Sequence, residues 1–164
     1  MKDNIVLTGM PGAGKSTVGV VLAKVLGYEF IDSDLVIQKE DGRLLKDIIE
    51  QEGNEGFLAI EERINSGINA YHAVIATGGS AVYGEKAMKH FAETGTVVYL
   101  KASYETVASR LSNLHGRGVA IRQGQTLLDL YNERAVLYER YSDFDIDIDG
   151  LSIEETVAAI LRKI

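Results

Sequence analysis

The chain of 164 residues contains no cysteine, which excludes disulfides and thiolate-held metal clusters. Proline is almost absent: Pro11 is the only one, and this scarcity argues against disordered linkers. No stretch approaches the roughly 20 apolar residues of a membrane span. The first residues, Met1-Lys2-Asp3-Asn4-Ile5, lack the apolar run of a secretory leader, and a cytoplasmic location is the expectation. An excess of positive charge is missing too. The formal net charge is −7, which argues against non-specific binding to nucleic acid or to anionic membranes. The three histidines, His72, His90 and His115, show no metal-ligand spacing. There is no internal repeat and no low-complexity segment.

Short apolar runs alternate with helical periodicity along the whole chain. Strands are expected at Asn4–Thr8, Glu29–Asp32, His72–Thr77, Thr96–Leu100 and Phe144–Ile148. Helices are expected at Lys15–Leu26, with Val18, Val21, Leu22, Val25 and Leu26 as its apolar face, and at Ser33–Asp41 with Ser33 as its cap. Two more, Leu44–Glu52 and Asn54–Ala70, should be split near Gly53. Further helices are expected over Glu85–Glu93, from Ser103 to Leu114, over Gln125–Tyr141 and over Ser152–Lys163, with a loop at Asn113–Gly124. Alternation of this kind implies an α/β fold with a mainly parallel sheet covered on both faces, in one domain of ordinary size.

Gly9-Met10-Pro11-Gly12-Ala13-Gly14-Lys15-Ser16 fits the pattern G-x-x-x-x-G-K-[ST]. Glycines let successive backbone N–H groups turn toward phosphate oxygens, and the positive end of the following helix faces the same anion. Lys15 adds a full charge near the β and γ phosphates, and the Ser16 hydroxyl can ligate Mg²⁺. A match of this kind arises by chance in roughly one chain in a hundred of this composition, and this one also lies between an expected strand and helix. Gly12, Ala13, Gly14, Lys15, Ser16 and Thr17 are the candidate ATP-binding residues.

Asp32 and Asp34 close the second strand. Extended backbone puts both on one side, at the sheet edge where ligands of parallel α/β folds bind. One carboxylate can hold Mg²⁺ through water while the other accepts or orients a substrate hydroxyl's proton. The plainer reading is that they are acidic residues favoured by a helix dipole. Residues 106–128 carry Arg110, Arg117 and Arg122 but no acid, where about three would be expected, so the segment suits a lid over a triphosphate. An ordinary exposed loop is the alternative. Arg134, in the charged helix Asn132-Glu133-Arg134, reads on its own as a solvated surface residue. Asp145-x-Asp147-x-Asp149-Gly150 resembles the opening of a calcium loop, but Thr156 stands where its glutamate belongs. Gly78-Gly79-Ser80 after the third strand is either a turn or part of the ligand edge.

Taken together, the phosphate loop with Thr17, Phe30-Ile31-Asp32-Ser33-Asp34, Gly53-Asn54-Glu55-Gly56-Phe57, Ala76-Thr77-Gly78-Gly79, Gly95-Thr96-Val97-Val98-Tyr99-Leu100 and Glu133-Arg134…Leu137-Tyr138 resemble the shikimate kinase family over nearly the whole chain. The resemblance implies a three-layer α/β/α P-loop fold like that of nucleoside monophosphate kinases, with strand order 2-3-1-4-5. It implies one kinase domain over 1–164, acceptor-binding helices at about 33–70 and a lid at about 113–124. By the family pattern, Lys15 and Ser16 serve phosphate and Mg²⁺, and Asp32 lies near the metal. Asp34 binds and activates the acceptor hydroxyl. Gly78, Gly79 and Ser80 line the acceptor pocket, Arg110 lies against adenine, Arg117 is the lid arginine and Arg134 clasps the substrate carboxylate.

Four positions depart from that pattern. Leu58 stands where the family has a carboxylate-gripping arginine, although its acidic supporter is retained as Glu61. Ser80 replaces a third glycine, and Gly118 and Val136 replace prolines. The expectation is an ATP- and Mg²⁺-dependent kinase, acting as a monomer, whose acceptor is shikimate or another small hydroxylated metabolite. A module that senses ATP without useful transfer is the rival reading.

Overall fold

The computed structural model describes residues 2–112 and 122–164. Its centre is β1 (Asn4–Thr8), every residue of which is buried. A strand buried along its whole length is stable only with both faces covered. It pairs in parallel with β3 (Ala73–Ala76) on one side and β4 (Gly95–Lys101) on the other. The flanking strands β2 (Glu29–Asp32) and β5 (Phe144–Asp147) complete a five-stranded parallel sheet of order β2-β3-β1-β4-β5. β5 alternates as an edge strand should: Ile146 is buried between exposed Asp145 and Asp147.

Seven α-helices lie among the described residues: α1 (Lys15–Leu26), α2 (Ser33–Asp41), α3 (Leu45–Ser66), α4 (Glu85–Thr94), α5 (Tyr104–Ser112), α6 (Leu127–Tyr141) and α7 (Ile153–Leu161). A 3-10 turn, Ala81–Tyr83, links β3 to α4. α1 packs on β1, β2 and β3 and against α7, whereas α4 and α6 pack on β4. The main core runs through Val6, Leu7, Leu22, Val74, Phe91 and Val98. A separate small cluster, Ile37, Ile48, Phe57 and Ile64, joins α2 to α3.

The structure redraws several local boundaries. Asp32, not Ser33, caps α2: it keeps the extended backbone of β2, and its Oδ1 accepts from the Asp34 and Leu35 amides at 3.0 and 3.4 Å. Ser33 is already helical and buried, and its hydroxyl instead accepts the Gly78 N–H. The split expected near Gly53 is present: at φ 72° and ψ 176°, Gly53 divides α3 into two helical segments. α3 ends at Ser66 rather than Ala70, and Gly67 follows it. Val25 is 58 % exposed and lies outside the core face of α1.

The pairing register determines where chemistry can occur. Leu7 and Asp32 both align with Ala76. The loop after β1, the N-terminus of α2 and Thr77–Ser80 therefore leave the sheet at one edge. In a parallel α/β sheet that carboxyl edge is the ligand-binding edge.

Candidate active site

The loop from Gly9 to Gly14 turns back on itself through left-handed backbone at Gly12 and Gly14 and an unusual φ of 147° at Gly9. A Cβ at Gly9 would sit 2.7 Å from the Leu100 carbonyl, so the loop hugs β4 too closely for a side chain. Gly14 caps α1 with no side-chain bond to the first-turn amides. Those amides face a cavity of about 260 Å³ lined by Gly12, Gly14, Lys15, Ser16 and Thr17 on one side. Asp34, Thr77, Gly78 and Gly79 line the other. Lys15 is buried, and its Nζ donates to the Gly9 and Met10 carbonyls at 2.6 and 2.9 Å, which fixes the ammonium over the loop. From α5, Arg110 Nη1 reaches the Gly12 carbonyl at 2.8 Å.

Ser16 Oγ donates to Asp32 Oδ2 at 3.1 Å. A hydroxyl and a carboxylate beside an amide cradle form the donor set that Mg²⁺ takes when its other ligands are water and phosphate oxygens. Among the described residues no group of three or more His, Cys, Asp or Glu side chains could hold a metal by itself. The fit is to an ion that arrives with a polyphosphate.

The opposite side of the cavity is built around two glycines. A Cβ at Gly78 would lie 2.6 Å from Asp34 Oδ1 and 3.1 Å from Glu61 Oε2, so both carboxyl groups close over it. A Cβ at Gly79 would lie 2.6 Å from Pro11 Cδ and 2.8 Å from Arg134 Nη1. Arg134 is 1 % exposed, contrary to the surface reading of its helix. Its Nε donates to the Tyr83 hydroxyl at 3.4 Å, and its guanidinium lies over the Tyr83 ring at 5.4 Å. Tyr138, fully buried beside it, donates from its hydroxyl to the Gly79 carbonyl at 2.6 Å. Burial pushes the Tyr138 hydroxyl above its ordinary pKa, so it remains a donor at any physiological pH.

Glu61 is 2 % exposed. Its Oε1 accepts from the Ser80 hydroxyl at 2.7 Å, and its Oε2 is buried without a hydrogen-bond partner. Burial drives its pKa up to about 7; the Ser80 bond opposes this, Asp34 adds to it, and Arg134 opposes it. Leu58 lines a second cavity of about 400 Å³ together with Gly53, Asn54, Tyr83, Arg122 and Gln125. Of three arginines that could stand in for one at position 58, namely Arg43, Arg63 and Arg122, Arg43 is engaged by Asp41, Gln51 and Glu52. Arg63 is exposed and outside that wall. Only Arg122 shares the cavity with Leu58; its Nη1 lies 3.8 Å from Glu133.

Lys15, Ser16, Asp34, Gly78 and Gly79 thus share one cavity, with Asp32, Ser80, Arg110 and Arg134 in contact with its walls. Arg117 and the lid expected around it fall at 113–121, outside the described residues. Two contributors are absent from the sequence-based site. Tyr83 supports Arg134, and Leu45 closes the phosphate cavity. An aromatic residue just after a glycine-rich turn was the only local signal for Tyr83.

The family model for shikimate kinase matches residues 11–164. The chain belongs to the shikimate kinase family. A shikimate kinase of Persephonella marina is 35 % identical over 162 residues, covering 98 % of both chains. One of Thermodesulfovibrio yellowstonii is 36 % identical over 163 residues, 98 % of this chain and 94 % of the relative. A solved shikimate kinase from Acinetobacter baumannii, in complex with shikimate, superposes with a TM-score of 0.88 at 32 % identity, covering 99 % of this chain and 93 % of the other. The fold is the three-layer P-loop fold of that family, and the family's activity is ATP-dependent phosphoryl transfer. No described helix is long and apolar enough to cross a membrane.

Proposed function

We propose that this chain transfers the γ-phosphoryl group of ATP to a hydroxyl of shikimate. The observation that supports this most is that Asp34 lines the same cavity as Lys15 and the first-turn amides of α1. A proton acceptor and a phosphate cradle then face one cavity. The amides of Gly12, Ala13, Gly14 and Thr17 bind polyphosphate oxygens, and Lys15 spans the β and γ groups. Ser16 and Asp32 hold Mg²⁺, which offsets phosphate charge when bound.

Asp34 orients the acceptor hydroxyl and takes its proton as the oxygen attacks the γ phosphorus and the bond to the β-bridging oxygen breaks. Gly78 and Gly79 let the acceptor approach the backbone, and Ser80 braces Glu61 beside it. Arg134 binds the acceptor's carboxylate, Arg110 lies against adenine and Arg117 closes from the lid. The helices of 33–70 form the acceptor flank of a single kinase domain. Every group named comes from one chain, so the reaction needs no partner subunit.

Leu58 gives a second reading its one specific support. Losing a charge-assisted hydrogen bond costs about 1.5–3 kcal/mol, roughly a tenfold to hundredfold weaker grip on a carboxylate. A different small polyol or hydroxy acid would meet an apolar wall there. ADP release should therefore be assayed with shikimate and with a panel of hydroxylated metabolites. Strong stimulation by shikimate, abolished by Lys15→Ala and reduced by orders of magnitude in kcat by Asp34→Asn, is the expected result. Stimulation by another member of the panel alone would move the acceptor. ATP binding that no acceptor converts to turnover would reduce the protein to a nucleotide sensor.

A further inference from the structure

The larger cavity, about 400 Å³, has no role in the phosphoryl-transfer scheme. Its walls are Leu58 and residues 52–55 of α3, Tyr83 at the end of the 3-10 turn, and Arg122 and Gln125 ahead of α6. It is not remote from the phosphate cavity. The Tyr83 hydroxyl accepts from Arg134 Nε at 3.4 Å, and the Arg134 guanidinium lies over the Tyr83 ring. Arg134 Nη1 in turn stands against Gly79, which lines the phosphate cavity. The Tyr83–Arg134 pair therefore stands between the two cavities. An acceptor that extends from Gly79 past Arg134 meets the larger one.

Arg122 is the one cation among the described residues of that lining. Its N–H donates to Gln125 Oε1 at 3.3 Å, and its carbonyl accepts the Gln125 N–H at 3.0 Å. Gln125 Nε2 donates to Glu133 Oε2 of α6 at 3.0 Å. The backbone of Arg122 is thus tied to α6, whereas its side chain is 67 % exposed. Arg122 Nη1 approaches the same Glu133 oxygen only to 3.8 Å, beyond hydrogen-bond reach, and that oxygen already has the Gln125 donor. An exposed pair of that length holds an arginine weakly. A carboxylate arriving from the cavity can take two parallel N–H groups of the guanidinium instead. Two acids share the lining. Glu52 is held by Arg43 at 3.0 Å, and Glu55 is exposed, where water and salt screen its charge. Leu58 offers an anion no hydrogen bond.

We propose that Arg122 binds the carboxylate of the acceptor in this chain, gripping it from the larger cavity while Arg134 meets it from the Gly79 side. The inference rests on the kinase reading and deepens it by naming a cation that selects an anionic acceptor. The hydroxyl end of the acceptor then lies at Asp34 and the carboxylate end at the Tyr83 boundary. Arg122 touches no reacting atom, so its loss weakens acceptor binding and leaves the step at saturation nearly unchanged.

The test is steady-state kinetics of the full chain at saturating Mg-ATP, with shikimate and with shikimate amide, in which an uncharged carboxamide replaces the carboxylate. Arg122→Gln should raise KM for shikimate roughly tenfold, with kcat within about twofold of wild type. KM for the amide should not change, because the guanidinium there has no charge to meet. Leu58→Arg added to Arg122→Gln puts a guanidinium back on the same cavity wall and should recover most of the loss. Arg122 is exposed, so Arg122→Gln should keep the wild-type Tm.

An unchanged KM for shikimate in Arg122→Gln would overturn the inference. So would an equal rise for shikimate and its amide, which would mean that Arg122 acts through the surrounding structure and not on the carboxylate. Failure of the kinase reading looks different: wild type would then release no ADP in response to either compound.

Discussion

Asp32 carries two tasks on two oxygens. Oδ1 caps α2 and Oδ2 accepts from Ser16. Asp32→Ala should lose a cap, worth about 0.5–2 kcal/mol, along with the magnesium partner. Asp32→Asn keeps a capping oxygen, because asparagine caps as well as aspartate does. Thermal denaturation should therefore find Asp32→Asn close to wild type and Asp32→Ala less stable, while both need more Mg²⁺ for turnover. Equal magnesium requirements in wild type and Asp32→Asn would remove Asp32 from the metal. Glu61 makes a separate prediction that needs no substrate. Burial holds its folded pKa at about 7, above the ordinary glutamate value of 4.5. Its contribution is then full below about pH 4.5 and is lost as pH rises through 7, by an upper bound on the order of 3 kcal/mol. The stability of Glu61→Gln relative to wild type should increase from pH 5 to pH 8 and then level off. A difference that does not vary with pH would show that Glu61 is not held neutral.

The proposed acceptor flank depends on α2 and α3 as elements. Their contact is the small cluster of Ile37, Ile48, Phe57 and Ile64, separate from the main core. Phe57 is 3 % exposed. Phe57→Ala should cost about 3–5 kcal/mol if the cavity does not collapse, and the loss should appear first as faster hydrogen exchange in α2 and α3 rather than in the sheet. Uniform protection loss across β1, β3 and β4 would mean that the flank and sheet unfold as one unit. At this scale the sequence was most readable where signals are local. β1, α1 and β2 begin and end where apolar runs meet glycines or acids, and all three match the expected limits. In α3 the break at Gly53, with φ 72°, was readable, but the end was not: the helix stops at Ser66, before Gly67, rather than running to Ala70. Arg134 was unreadable on a longer scale: its burial depends on Tyr83 and Gly79, about fifty residues earlier in the chain.

The whole molecule assembles its site from segments far apart in sequence: 9–17, 32–34, 58–61, 77–83, 110 and 134. A parallel sheet makes this possible, because each strand delivers its following loop to the same edge. The motif at Gly9–Ser16 indicated where the phosphates would lie before any geometry was known. The meeting of Asp34, Glu61 and Gly78 depends on the register of β2 with β3 and on the path of α3, and no spacing rule encodes either. With a net charge of −7, the protein must hold an anionic donor and an anionic acceptor against its own field. Among the described residues, Lys15, Arg110 and Arg134 are cations placed there. The most direct test of the account is mass spectrometry of the product formed from shikimate, ATP and Mg²⁺. The account predicts monophosphorylated shikimate in equal amount to ADP, and none with Lys15→Ala. ADP formed without any phosphorylated shikimate would contradict it.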